Sequence, residues 1–397
     1  MKKLLQQYNG QVPRLILLHF SVGFVFWYAI EKIFLANQLA IGPTGIATIV
    51  IVYLVITLIL DVPASVLADR WGRKRMLIFA IVSFILANIV LGASQTFGMY
   101  LVGTVLWALF SVGYGGIFEA ILFDSLKQEG REKQFQKVDA WSRLFFMIGI
   151  SIASVASGVL ADQFGLRSVY FLSVIPLILG LFALITVREP IVHHDDEVQD
   201  VLKRGYAAHL MHAFGTVWHE KKLRLVMFAM IILFFIQTPL YEFIQYVYIE
   251  LFQTPLIVGL FGGIGSLFTA LGFFIAIKRK RMFNARLILL LAGIAVTIIA
   301  LLANIGSLLP LAFLFIAVSI IENALQTELQ HATTSRTRAS VTSAVYFTGN
   351  VLIIPFVLLF GVIAQNHSIW LAYLINGGVV LCLALGYVLL TSQRRHT

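Results

Sequence analysis

Long apolar runs recur along the chain at 13–35, 45–67, 76–95, 99–126, 137–161, 168–187, 223–250, 255–277, 285–306, 308–331, 338–365 and 368–391, with short polar intervals between them. A helix needs about 20 apolar residues to cross a bilayer, and each run meets that length. The pattern predicts an all-α integral membrane protein with twelve transmembrane helices. The one long polar interval divides the spans six and six. It predicts an N-terminal six-helix bundle over 1–187, a cytoplasmic linker over 188–222 and a C-terminal six-helix bundle over 223–397. The chain opens MKKLLQQYNGQVPRLILLHF, with the basic start of a signal peptide. Its apolar run continues to about Ile30, ends at Glu31-Lys32 and has no small-x-small cleavage site, so it reads as a retained first span.

Composition agrees with lipid as the main solvent. Hydrophobic residues make up 59% of the chain and charged residues 12%, against about 25% charged in soluble domains; mean hydropathy is +0.91. The lone cysteine, Cys382, lies in an apolar run, which leaves no disulfide framework and no cysteine metal site.

The net charge of +10 does not point to nucleic acid, because the basic residues fall in short loops between spans. All but two of the 29 Lys and Arg residues fall on one side of the predicted topology; Lys32 and Arg167 are on the other. The basic side is cytoplasmic by the positive-inside rule, so both termini are expected inside. The runs at 73–75 (RKR) and 278–281 (KRKR) read as membrane anchors rather than nuclear signals. His193, His194, Asp195, Asp196 and Glu197 are adjacent in the linker and do not converge on one ion, so no metal site is expected.

An internal repeat sharpens the picture. Ser65-Val-Leu-Ala-Asp69-Arg-Trp-Gly72 recurs as Gly158-Val-Leu-Ala-Asp162-Gln-Phe-Gly165, 93 residues later. That spacing is three spans, an odd number, so the copies fall on opposite sides. Inverted three-helix repeats are a feature of secondary transporters. A shorter echo links the halves: Phe118-Glu119-Ala-Ile-Leu resembles Ile321-Glu322-Asn-Ala-Leu, relating the fourth span to the tenth.

The segment SVLADRWGRKRML (65–77) resembles the signature of the major facilitator superfamily, G-x-L-A-D-R-x-G-R-R/K-x-x-L, in the loop between the second and third spans. Ser65 replaces the leading glycine. The six-plus-six layout, central linker and inverted repeat extend the resemblance over the whole chain, and it implies the major facilitator fold of two pseudo-symmetric bundles. It also implies a conformational latch made by Asp69, Arg70, Gly72, Arg73 and Lys74. In it the aspartate meets a helix N-terminus of the other half, and Arg73 pairs with an acid at the end of the fourth span, where Asp124 stands. A carboxylate at a helix N-terminus is favoured by the macrodipole. Two antiporter signatures are incomplete. The outer half of the fourth span has no arginine. The fifth span, Gly149 to Gly158, has small residues suited to close packing but no proline. Gly259, Gly262, Gly263, Gly265 and Gly272 give the eighth span a similar character.

An ionisable group inside a span is a functional candidate. Those present are Glu31, Asp61, Glu119, Arg143, Glu242 and Glu322, with His19 as a further titratable group. By the resemblance, spans 1, 4, 7 and 10 line the central cavity, and four of these acids fall one on each. Glu31 reads alternatively as an interfacial residue beside Lys32. Glu119 and Arg143 lie at similar depth and can pair, with Asp61 competing. Glu322 and Glu242 have no cation in view. Desolvation raises the proton affinity of buried carboxylates, which makes these two the leading proton or cation sites. Trp27, Tyr28, Trp107, Tyr114, Tyr241, Tyr246 and Tyr346 lie near the acids, and aromatic faces with acids suit organic cations.

The expected function is secondary active transport by alternating access, with proton-coupled efflux of lipophilic or cationic small molecules as the leading reading. The alternative is ion-coupled uptake or exchange of a sugar, peptide or other metabolite. No Gly-x-Ser-Gly turn with a partner histidine and no P-loop occurs, so neither an intramembrane protease nor an ATP-driven pump is expected, and the chain is not read as an enzyme. No cofactor is expected beyond a proton gradient. The expected partners are a small-molecule substrate, protons and the lipid bilayer, with the chain a monomer in a bacterial plasma membrane.

Overall fold

The computed structural model describes residues 10–189, 214–278, 284–333 and 338–392. They fold into helices joined by short turns, with no strand among the described residues. In chain order the helices are α1 (Gln11–Gly23), α2 (Glu31–Leu39), α3 (Pro43–Trp71), α4 (Arg73–Ala93), α5 (Phe97–Gln128), α6 (Phe135–Phe164) and α7 (Ser168–Ile185). They continue with α8 (Lys221–Glu242), α9 (Ile244–Phe252), α10 (Pro255–Lys278), α11 (Ala285–Leu302), α12 (Leu308–Ala332), α13 (Arg338–Asn366) and α14 (Ile369–Ser392). Eleven of the described helical segments, counting α8 and α9 as one, are long and apolar enough to cross a membrane.

The first expected span falls short because it is broken. The chain leaves α1 at Gly23 and resumes at Glu31. No proline forces this. A Cβ at Gly23 would collide with the Phe146 carbonyl, so α1 and α6 touch backbone to backbone there. Beyond that contact the chain turns. Ser173 Oγ accepts from the Phe26 amide at 2.9 Å, and Trp27 enters the core with its Nε1 donating to Asn88 Oδ1 at 2.7 Å. Trp27, Asn88 and Ser173 are fully buried. The seventh expected span is interrupted as well, at Phe243 between α8 and α9, one turn after Pro239.

The large side chains that point outward are mostly apolar, including Ile59, Phe182, Leu301, Leu309 and Leu389, each more than 60% exposed. With so little polar surface along the spans, lipid is the only solvent that accommodates them.

The chain divides into two compact units. One comprises Met1–Ile41, Val52–Asp195 and Phe252–Leu267; the other comprises Gly42–Ile51, Asp196–Leu251 and Phe268–Thr397. In the first, α4 packs along α5, and α1 packs on α6 and α7. Backbone contact recurs there between α6 and α10, where a Cβ at Gly259 would lie 2.8 Å from both the Ser154 carbonyl and the Gly158 amide. In the second unit, α11 packs along α14, and α8 touches α12, α13 and α14.

The sequence repeat has a backbone counterpart. α3 ends at Trp71 and α6 at Phe164, and the glycines that follow, Gly72 and Gly165, both have positive φ, at 105° and 85°. Side chains other than glycine are strained in that region, which accounts for the repeated glycine.

Candidate functional site

A cavity of about 230 Å³ opens within the first unit. One wall is aromatic: Phe110, Tyr114 and Phe118 from α5, Phe146 from α6, and Tyr28 from the break after α1. His19 of α1 projects among them. Its ring stacks on Phe118 and Phe146 with centroids 4.4 and 4.6 Å away, and its Nδ1 lies 2.8 Å from the Tyr114 hydroxyl. Behind this wall, Tyr53 donates to Ser111 Oγ at 2.7 Å and packs on Trp107.

One corner is charged. Arg143 Nη2 donates to Glu119 Oε1, and its Nε donates to Asp139 Oδ2 at 2.9 Å. All three side chains line the cavity. Two carboxylates against one guanidinium leave one negative charge over. Of the two acids the sequence offered Arg143, Glu119 is bonded to it and Asp61 is not. Asp61 is exposed on α3. Asp139 was missed, although its place four residues before Arg143 on one helix face is a legible signal.

Glu31 is buried inside the protein, and its neighbour is indeed Lys32. It is 4% exposed and Lys32 2%. Lys32 Nζ lies 2.5 Å from Glu31 Oε2, and the Tyr100 hydroxyl donates to Glu31 Oε1 at 2.6 Å. Tyr170 stands 3.4 Å from Tyr100 and stacks on Trp27. Close by, Arg167 holds the end of α4 by donating to the Gly92 and Ser94 carbonyls, each at 2.7 Å.

At the α3–α4 turn, Arg73 forms an ion pair with Asp124, both largely buried at 15% and 17% exposure. The Asp69 side chain lies outside the described residues, and Arg70 is exposed. A further acid, Glu189, was missed. Its carboxylate accepts from the Lys74 amide at 3.1 and 3.2 Å, capping the N-terminus of α4, while Lys74 Nζ donates to the Ile185 carbonyl at 2.8 Å. This ties the end of α7 to the turn.

In the second unit, Glu322 of α12 has a neutral partner that a search for cations overlooked: Gln237 Nε2 of α8 donates to it at 2.8 Å. One turn on, Gln326 donates to the Tyr346 hydroxyl at 3.1 Å. Glu242 is half-buried at the last residue of α8, beside the break. Among the described residues, no group of three His, Cys, Asp or Glu side chains is placed to hold a metal ion.

Known proteins resemble the chain at two levels. In sequence, it is 28% identical over 134 residues to a probable 4-methylmuconolactone transporter of Cupriavidus pinatubonensis, covering 33% of this chain and 31% of that one. It is 29% identical over 108 residues to an MFS-type efflux transporter of Pyricularia grisea, covering 27% and 17%. An uncharacterised transporter of Buchnera aphidicola is 24% identical over 149 residues, covering 37% and 36%. These matches span about a third or less of the relatives' own lengths. In structure, a variant of the nucleoside transporter NupG superposes with a TM-score of 0.79 at 12% identity, covering 96% of this chain and 99% of that one. The D-xylose–proton symporter superposes with a TM-score of 0.70 at 14% identity, covering 95% of each. The family model of the Major Facilitator Superfamily matches residues 15–357, and the chain, a multi-pass membrane protein with that fold, belongs to this superfamily.

Proposed function

We propose that the protein is a proton-driven exporter of small lipophilic cations. In this reading it works by alternating access in a bacterial plasma membrane, as a monomer with both termini in the cytoplasm and the proton gradient as its energy source. The observation that carries the reading is the cavity of the first unit, walled by aromatic rings and ending in a corner with one carboxylate in excess. Aromatic faces and an unbalanced acid attract an organic cation. Glu119, Glu322 and Glu242 are the acids that exchange protons. Glu31 is a structural anchor, locked by Lys32 and Tyr100, and Asp61 is a peripheral acid. The Arg73–Asp124 pair and the Glu189 cap, with Asp69, form the conformational latch.

Arg143 favours a second reading. A guanidinium in the cavity suits a carboxylate or lactone metabolite, and one relative is named a 4-methylmuconolactone transporter. Everted vesicles with a pH-gradient dye decide between the two. Small aromatic cations should collapse the gradient in wild type and less so in Glu119→Gln, Glu242→Gln and Glu322→Gln. A response to carboxylates alone, or full coupling in all three variants, overturns the exporter.

A further inference from the structure

We infer that Asp139 is a positioning residue that keeps Arg143 charge-compensated, so that Glu119 alone is free to release the guanidinium and take a proton or a cationic ligand. The inference rests on the reading of this cavity as the transport site.

The two acids hold Arg143 differently. Asp139 sits on the same helix, one turn earlier, and binds Nε; Glu119 sits on α5 and binds Nη2. A guanidinium presents its donors in a rigid fork, so the two carboxylates occupy separate corners and one can leave without dislodging the other. The Asp139 bond is internal to α6 and survives any displacement of α5 against α6. The Glu119 bond crosses between those helices and does not. Exposure divides them in the same way: the Asp139 side chain is 18% exposed and the Glu119 side chain 47%, facing the cavity.

Without Asp139, Glu119 would be the one carboxylate left on Arg143, whose side chain is 58% exposed in the cavity, and a guanidinium with a single counter-ion attracts it more strongly than one already neutralised by a second acid. Glu119 would then stay clamped. With Asp139 in place the guanidinium keeps a counter-ion in both states, and the pair to Glu119 becomes reversible. The other titratable groups facing this corner are His19 of α1, Tyr28 of the break and Tyr114 of α5. His19 and Tyr114 are bonded to each other, and neither carries a negative charge that could replace Asp139.

The test is labelling of the protein in membranes with dicyclohexylcarbodiimide, which modifies protonated carboxyls, read residue by residue by mass spectrometry. In wild type, Glu119 should be labelled and Asp139 spared. In Asp139→Asn, labelling of Glu119 should fall about threefold or more, because Glu119 becomes the sole counter-ion of Arg143. Adding Arg143→Gln to that variant should restore it, and Asp139→Glu should label like wild type. A purely structural role would leave the double variant as impaired as Asp139→Asn. If Asp139→Asn fails to accumulate, the double variant, which has no guanidinium left to compensate and whose half-exposed Glu119 is free to take a proton, should accumulate and label. Equal labelling of Glu119 in wild type and Asp139→Asn, no restoration by Arg143→Gln, or failure of the double variant to accumulate would each overturn the inference. The labelling needs no substrate, so a wild type that exports no cation would sink the exporter reading and leave this result standing.

Discussion

Removing Lys32 should destabilise the first unit more than any exposed substitution, and removing Glu31 with it should undo most of the damage. The two side chains are 2% and 4% exposed, with Nζ and Oε2 2.5 Å apart. Lys32→Met keeps the apolar stem and deletes the charge, leaving Glu31 buried without its cation. Breaking a buried pair from one side costs roughly 3–5 kcal/mol. The Tyr100 hydroxyl still donates to Oε1, and a hydrogen bond to a charged group is worth about 1.5–3 kcal/mol, so the expected loss sits at the low end, about 3 kcal/mol. The double variant Glu31→Gln/Lys32→Met removes both charges and keeps an acceptor for Tyr100. It should lie within about 1 kcal/mol of wild type, because replacing a whole buried pair is often close to neutral. The coupling in the cycle is then about 2 kcal/mol or more, typical of residues in contact. Unfolding against SDS mole fraction, followed by tryptophan fluorescence, reads this directly, since Trp27 is buried beside Tyr170 in the same cluster. A double variant as unstable as Lys32→Met, or a Lys32→Met variant indistinguishable from wild type, would refute the reasoning.

Two further outcomes follow from the α3–α4 turn and its repeat. Arg73→Asp or Asp124→Arg alone should abolish most transport, and the exchanged pair Arg73→Asp/Asp124→Arg should recover part of it, measured as initial rates in vesicles; no recovery would deny the pair its role. Gly72→Ala and Gly165→Ala should each lower stability by about 1–3 kcal/mol, because both sit at positive φ. Gly98→Ala, with open space around its Cβ position, should change little in the same SDS titration.

The spans were legible because lipid imposes one rule on every residue it touches, and ten of the twelve apolar runs form single helices with nearly the expected ends, while the first and seventh are broken. The Arg73–Asp124 pair was legible through the family resemblance, which implies an acid at the end of the fourth span, and Arg143–Glu119 was legible, with Asp61 as a competitor, because opposite charges at matching depth can pair. The break after Gly23 was not, since its causes lie far along the chain: Ser173 and Asn88 supply the bonds, and the Phe146 carbonyl sets the close approach. Glu189 hid in the interval read as a solvated linker, although an acid directly after a span can reach the N-terminus of a neighbouring helix. Gln237 was overlooked because only cations were sought for Glu322, while in a bilayer an amide donor serves a carboxylate too.

The break in the first span ties the buried cluster to the cavity. An unbroken helix satisfies its own backbone; a broken one in the bilayer must find partners elsewhere. Here the Ser173 hydroxyl and local turn bonds supply them, while Asn88 fixes the Trp27 ring. Both polar residues are fully buried on helices that do not line the cavity, α7 and α4. Yet they hold the turn that swings Tyr28 to the cavity wall next to a Trp27 locked in the core, and that starts α2 with Glu31 facing Tyr100 rather than lipid. Polar side chains on two apolar helices are otherwise a cost without return. Their return is the shape of a site they never touch.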